Sequence, residues 1–136
     1  MSQENVELIR RGFELFNEGK FDVVLREIFH PEIEMTVGIG PLLGIETIRG
    51  REAVRRFWVE ELPEGLDEFS IDPLGLEDFG EVVLANVRYR ARGPASRMEI
   101  EQQFASIYSF RNGLVHRIHD HPTRAQALEA AAALRE

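Results

Sequence analysis

The sequence predicts an α+β fold, a curved and mostly antiparallel sheet wrapped around N-terminal helices, and three observations carry that prediction. Apolar residues recur at helical spacing through most of the first half of the chain; from Phe69 onward the period drops to strict alternation; and Asn112-Gly113 reverses the last two alternating runs. Helices segregated from long antiparallel strands define this class.

Each element has its own warrant. Asn5 to Glu18 sets Val6, Ile9, Phe13, Leu15 and Phe16 near a helical period, with Ser2 or Asn5 as cap and Gly19 as stop. Phe21 to Phe29 forms a second, short amphipathic helix that must end before His30-Pro31, because a residue preceding proline is pushed out of the α region. Glu32 to Val37 alternates as a half-buried strand with Ile33, Met35 and Val37 inside. A loop with Gly38, Gly40, Pro41 and Gly44 follows. From Gly38 to Thr47 it lacks the lysine and helix entry of a phosphate loop, and at most it suggests a flap over a pocket. Gly50 to Leu62 resumes helical spacing and is expected to stop before Pro63.

The strands come next. Phe69-Ser70-Ile71 opens a strand that Pro73 interrupts, so an edge or bulged strand is expected to run on through Leu74 and Leu76 toward Asp78. After Gly80, Glu81 to Arg92 alternates Val83, Ala85, Val87 and Tyr89 against Leu84, Asn86, Arg88 and Arg90. Met98 to Phe110 places Ile100, Gln102, Phe104, Ser106, Tyr108 and Phe110 on one side, and the final strand runs Leu114 to His121. Pro122-Thr123 leads into an Ala-rich helix over Ala125 to Leu134.

Composition limits the function classes. The 136 residues suit one domain spanning 1–136, and no apolar run approaches the roughly 20 residues of a membrane span. A formal net charge of −8 with dispersed arginines argues against nucleic acid, and zero cysteines remove disulfides, thiolate metal sites and a cysteine nucleophile. The polar, acidic start lacks the pattern of a signal peptide, giving an expectation of a cytoplasmic protein.

The densest titratable group is the last strand, where Asp120 stands among His116, His119 and His121. Alternation puts His119 and His121 on one face, as a chelating pair would need, but Asp120 then points the other way, so no metal is assigned. Tyr89, Tyr108 and Trp58 bring polar handles to an otherwise apolar aromatic set, and Gln102 falls in the inward phase, where an amide needs Tyr89, water or a ligand as partner. Arg88, Arg90 and Arg92 share the outward phase with Glu99 and Glu101, as cross-strand ion pairs or as part of a homodimer contact through the convex sheet face that includes Leu84 and Ile100.

Several stretches resemble one family: Phe13 to Phe21 at the helix-to-helix turn, the strand Ile33 to Val37, the helix entry Ile48 to Val54, the hairpin Tyr108 to Val115, and Ala127 to Ala131 at the close. Through them nearly the whole chain resembles the nuclear transport factor 2-like superfamily, in its SnoaL-like branch related to ketosteroid isomerase. The resemblance implies a conical half-barrel around three N-terminal helices with a short C-terminal helix. It does not imply a ketosteroid isomerase: the positions matching that enzyme's base, tyrosine and protonated acid are Val37, Gly12 and Ser106, none bearing the required group. SnoaL-like cyclases carry an acid/base aspartate on the last long strand, which matches Asp120. Beside an apolar wall of Met35, Trp58, Val87 and Phe104, desolvation would raise its pKa. The alternative for Asp120 is a helix cap, or an ion pair with Arg117 or Arg124.

The expected protein holds an apolar small molecule without a cofactor. In the enzyme reading Asp120 is the acid/base of a lyase, isomerase, cyclase or hydrolase acting on a polyketide- or terpenoid-like substrate. Tyr89, Gln102, Trp58 and Tyr108 contact the ligand, and Phe16, Met35, Val87 and Phe104 exclude water. The alternative is a non-catalytic ligand-binding or dimeric structural module of the same fold.

Overall fold

A computed structural model describes residues 2–38 and 46–134. Helix α1, Ser2–Asn17, is followed by α2, Phe21–Val23, which widens into a π-helical turn over Val24–Ile28. Strand β1 spans Phe29–Thr36, the short β2 Thr47–Arg49, and α3 Arg51–Arg56. A second π-helical turn, Phe57–Glu61, leads from α3 into α4, Leu62–Gly65. Strands β3, Asp67–Asp78, β4, Val82–Arg92, β5, Glu99–Arg111, and β6, Leu114–His121, precede α5, Arg124–Leu134.

All the strands form one sheet in the order β2-β1-β6-β5-β4-β3, antiparallel except where β1 lies parallel to β6. The curved sheet is unclosed, and its inner face meets α1, the two π-helical turns and α3 around a core that includes Ile9, Phe13, Ile33, Val54, Phe57 and Val115. π-Helical turns recur at functional sites because they push side chains out of the regular helical register. Here they deliver Val24, Ile28, Phe57 and Trp58 to a single cavity.

The expected α+β cone is present, with three local corrections. β1 begins at Phe29, ahead of Pro31, where helix was expected to reach; the β1/β6 register is irregular between Phe29 and Glu34, so the ladder hydrogen bond proline cannot donate is not required there. The third helical stretch continues past Pro63 to Gly65, because Pro63 falls in the first turn of α4, where its missing N–H costs little. β2 was not expected at all; it pairs with β1 through Thr47, Ile48 and Arg49. β3 is an edge strand with irregular register on both sides of Pro73, as the sequence suggested. Most of the expected flap, residues 39–45, lies outside the described residues.

The convex face is not the uniformly polar surface that alternation implied. Leu84 is fully buried there, in a second small core with Val82, Ala105 and Ile107 beneath Ala127 and Ala131 of α5. It is therefore not available to a partner subunit. Of the outward charges, Arg92 pairs with Glu99 at 3.4 Å, but Arg88 and Arg90 both turn to Asp72 on β3, at 3.2 and 2.8 Å, away from Glu101. No described helix is long and apolar enough to cross a membrane.

Candidate functional site

Ile118 and Asp120 point inward from β6, and Asp120 lies opposite Ser106 of β5 in the ladder. Oδ1 accepts from the Ser106 hydroxyl at 2.5 Å, while Oδ2 accepts from the Gly38 N–H at 2.8 Å and from the Tyr89 hydroxyl. The residue reaches the surface in part, but its carboxyl group is enclosed, and burial raises its pKa against the opposing pull of Ser106, Tyr89, Gly38 and the nearby His121. The direction is the one expected from the sequence. The environment is not: three hydrogen-bond donors surround the carboxylate, where an apolar wall was expected.

Ionic or capping roles for Asp120 find no support. Arg124 forks onto Glu77 at 2.5 and 2.9 Å, Arg117 stands 3.9 Å from Glu34, and the start of α5 is capped by Thr123, whose Oγ1 accepts from the Gln126 N–H at 3.2 Å.

Inside the cone, next to this carboxylate, is an apolar cavity of about 60 Å³. Phe16, Met35, Trp58, Tyr89 and Tyr108 line it. A buried water needs about 10–15 Å³ of such space, so the cavity holds a handful of waters and a larger ligand must move side chains. Phe16, Trp58, Leu62 and Phe69 also line an adjoining surface hollow of about 230 Å³, which makes them the partition between cavity and solvent. The three aromatic rings among them meet edge-on, with Phe16 5.0 Å from Trp58 and 6.0 Å from Phe69.

Three of the expected ligand contacts lie elsewhere. Val87 is 1% exposed and sits within the core, off the cavity. Phe104 is half-buried and packs its ring at a tilt against Tyr89, 5.1 Å away, off the cavity. Gln102 has the expected inward phase and pairs with Tyr89 in the ladder, but it is exposed at the rim, in an open hollow with Gly38, Gln103 and Pro122, so its amide is solvated without any ligand.

The two tyrosines differ. Burial pushes both hydroxyls far above the ordinary tyrosine range, reinforced by the charge of Asp120, so both stay protonated. Tyr89 spends its proton on Asp120. Tyr108 is 8% exposed, lines the cavity, and has no hydrogen-bond partner among the described residues. It is a free donor facing apolar space.

Ser106 and Gly38 were missed as partners of Asp120. Ser106 had a signal, since it shares the inward phase of Phe104 and Tyr108. Gly38 had a weaker one: a Cβ there would sit 2.3 Å from the Phe104 ring, so only glycine lets the backbone N–H approach Asp120. The histidines form no cluster with Asp120. His119 Nε2 is 2.8 Å from Glu34 on the outer face. Among the described residues one metal-like grouping occurs, His30, Glu32 and His116. There His30 Nδ1 accepts from the Glu32 N–H at 3.0 Å, which leaves the ring proton on Nε2 and opposes ligation through that atom.

Comparison with known proteins agrees with this architecture. Residues 9–118 match the model of the SnoaL-like domain, ending two residues before Asp120. No functionally curated protein matches the chain. Among solved structures, a nuclear transport factor 2-like protein of unknown function from Burkholderia pseudomallei K96243 superposes with a TM-score of 0.77 at 21% identity, covering 95% of this chain and 97% of that one. TerC, co-crystallized with polyporic acid, gives 0.75 at 18% identity over 93% and 96%. A candidate SnoaL-like polyketide cyclase from Jannaschia sp. CCS1 gives 0.72 at 18% identity over 96% and 92%. At such identities the likeness concerns the fold. With the family model covering most of the chain and the cone fold of a nuclear transport factor 2-like protein in place, the protein belongs to the SnoaL-like domain family.

Proposed function

We propose that the protein binds an apolar small molecule bearing a carbonyl or hydroxyl group inside the cone and moves a proton on it with Asp120, without a cofactor. The observation that supports this most is the hydrogen-bonded path from Tyr89, in the cavity wall, to an enclosed carboxylate whose pKa is raised. General acid/base work favours a pKa moved toward the operating pH, and burial moves Asp120 in that direction.

The division of labour follows from position. Tyr89 lines the cavity and Asp120 stands behind it, so a proton leaving the ligand passes to the Tyr89 oxygen as the Tyr89 proton passes to Oδ2 of Asp120. The transfer is concerted, because the raised pKa of Tyr89 disfavours a phenolate. The free Tyr108 hydroxyl donates to the ligand's oxygen and stabilises charge developing there. Phe16, Trp58 and Phe69 part to admit the ligand and reclose to exclude water. Polyketide-like aromatics and oxygenated terpenoids combine the apolar body with a carbonyl or hydroxyl group.

Trp58 is the chain's single tryptophan, and ligand entry should perturb its emission. Titration of the full chain with polyporic acid and with aromatic ketones, followed by product analysis with wild type and Asp120→Asn, tests the reading. Saturable Trp58 changes in both proteins, with turnover in the wild type alone, support it. A second reading, a binding module without chemistry, is favoured by the saturated hydrogen bonding of Asp120, and it predicts equal binding and no turnover in either protein.

A further inference from the structure

Away from the cone, the outer face of the sheet holds a hollow of about 260 Å³ between β5, β6 and α5. Ser109, Arg117, His119 and His121 line it from the strands, and Ala130 and Ala133 from the helix. Buried polar side-chain atoms ordinarily have partners. Among the described residues four do not, and three of these, Ser109 Oγ, Arg117 Nε and His121 Nε2, belong to residues of this one hollow.

The charge pattern is as unusual as the bonding. In a chain of formal net charge −8, this lining contains an arginine and two histidines and no carboxylate. The nearest acid is Glu34, already engaged by His119 Nε2 at 2.8 Å and Arg49 Nε at 3.3 Å, which leaves Arg117 at 3.9 Å. Ser109 is the ladder partner of Arg117, so its hydroxyl and the guanidinium stand side by side. The Ala-rich helix supplies the room: Ala127 and Ala131 pack onto the sheet while Ala130 and Ala133 roof the hollow with methyl groups alone.

We propose that this hollow binds a small oxyanion, a carboxylate or phosphate group, on the Arg117 guanidinium with Ser109 and His121 as further donors. A donor-rich set with its one nearby acceptor occupied selects a ligand that only accepts, and the planar fork of arginine fits two oxygens of such a group. Ser109 Oγ, Arg117 Nε and His121 Nε2 are sealed from solvent in the present arrangement, so Ser109 and His121 must rotate, and the Arg117 fork must turn its Nε edge outward, to reach the ligand. None of these motions breaks a hydrogen bond at the three atoms, since none of them has one.

The test is NMR titration of the full chain with sodium phosphate and, separately, sodium acetate, at ionic strength held constant with sodium chloride. The site predicts saturable shifts confined to Ser109, Arg117, His121 and the facing turn of α5. Loss of one charge-assisted contact should weaken binding by about tenfold or more in Arg117→Gln. Ala133→Leu, at an exposed helix position, should block the hollow while the rest of the spectrum stays in place, which keeps the test open if Arg117→Gln misfolds. Linear, non-saturating shifts, or equal responses in wild type and Ala133→Leu, would overturn the proposal. So would a wild-type chain that self-associates, becomes monomeric in Arg117→Gln and ignores both anions, which would assign these side chains to a subunit contact.

Discussion

The Tyr89 hydroxyl of β4 donates to Oδ2 of Asp120 on β6, reaching diagonally past the intervening strand β5. This bond joins a residue that touches the cavity to one that does not. It leads to a first prediction: Tyr89→Phe should lower turnover about as much as Asp120→Asn, on the order of 10²–10⁴-fold for a lost acid/base step. Ligand affinity, read from Trp58 emission, should be largely kept in both. If Asp120 instead contacts the ligand directly, Tyr89→Phe will retain most of the activity.

The fit of Gly38 against Phe104 gives a second. Gly38→Ala places a Cβ 2.3–2.6 Å from three atoms of the Phe104 ring, so ring or backbone must shift, at about 1–3 kcal/mol by analogy with overpacked cores. Moving the backbone also pulls the Gly38 N–H from Asp120. In the background of Phe104→Ala the added methyl should cost much less. A double-mutant cycle in urea reads the difference, and additive effects would contradict the contact.

Asp120 and Glu34 should titrate with opposite signs. Burial raises the folded-state pKa of Asp120 above 3.8, so the folded protein holds that proton more tightly than the unfolded chain does. Its stabilising effect is complete below 3.8 and is lost as pH rises through the raised folded value. For Glu34, the hydrogen bond with His119, then the charges of Arg117, His119 and Arg49, outweigh burial and lower the pKa below 4.5. That stabilisation is present above 4.5 and is lost as pH falls through the folded value. Urea unfolding of wild type against Asp120→Asn and Glu34→Gln across this range should show the two differences running in opposite directions.

Phe16 partitions cavity from solvent and packs on Phe21, Trp58 and Phe69. Phe16→Ala should cost about 3–5 kcal/mol of stability, as large-to-small core changes do. It should also admit bulkier ligands with faster association, seen by stopped-flow emission of Trp58. Unchanged association rates would place the entrance elsewhere.

Much of the scaffold was legible because one-dimensional periodicity reports burial. β4 to β6 and α1 fell within a few residues of expectation on alternation and helical spacing alone. The β6 hairpin shows the limit. Counting back from Asn112-Gly113 without interruption puts Ser106 opposite His119, whereas a register shift between Ser109 and Phe110 sets it opposite Asp120. No residue type announces that shift. The same holds for Gln102, whose phase was right but whose depth was not: alternation says which face a side chain takes, not how far along the cone it sits. Alternation places Leu84 on an open convex face, and the covering α5 escapes notice because its packing depends on alanines too small to mark a buried stripe. Asp120 itself was legible as a lone inward carboxylate, while its donors came from β4, β5 and a glycine 82 residues away.

The most direct measurement is native mass spectrometry of the full chain, alone and after incubation with apolar ketones or polyporic acid, in wild type and Phe16→Ala. A ligand-accepting cone predicts a stoichiometric adduct above the 15.6 kDa chain, with larger adducts tolerated only by Phe16→Ala. A bare chain under every condition in both proteins would mean that the interior is only a packed core, and that the bonds of Asp120 serve to hold the fold.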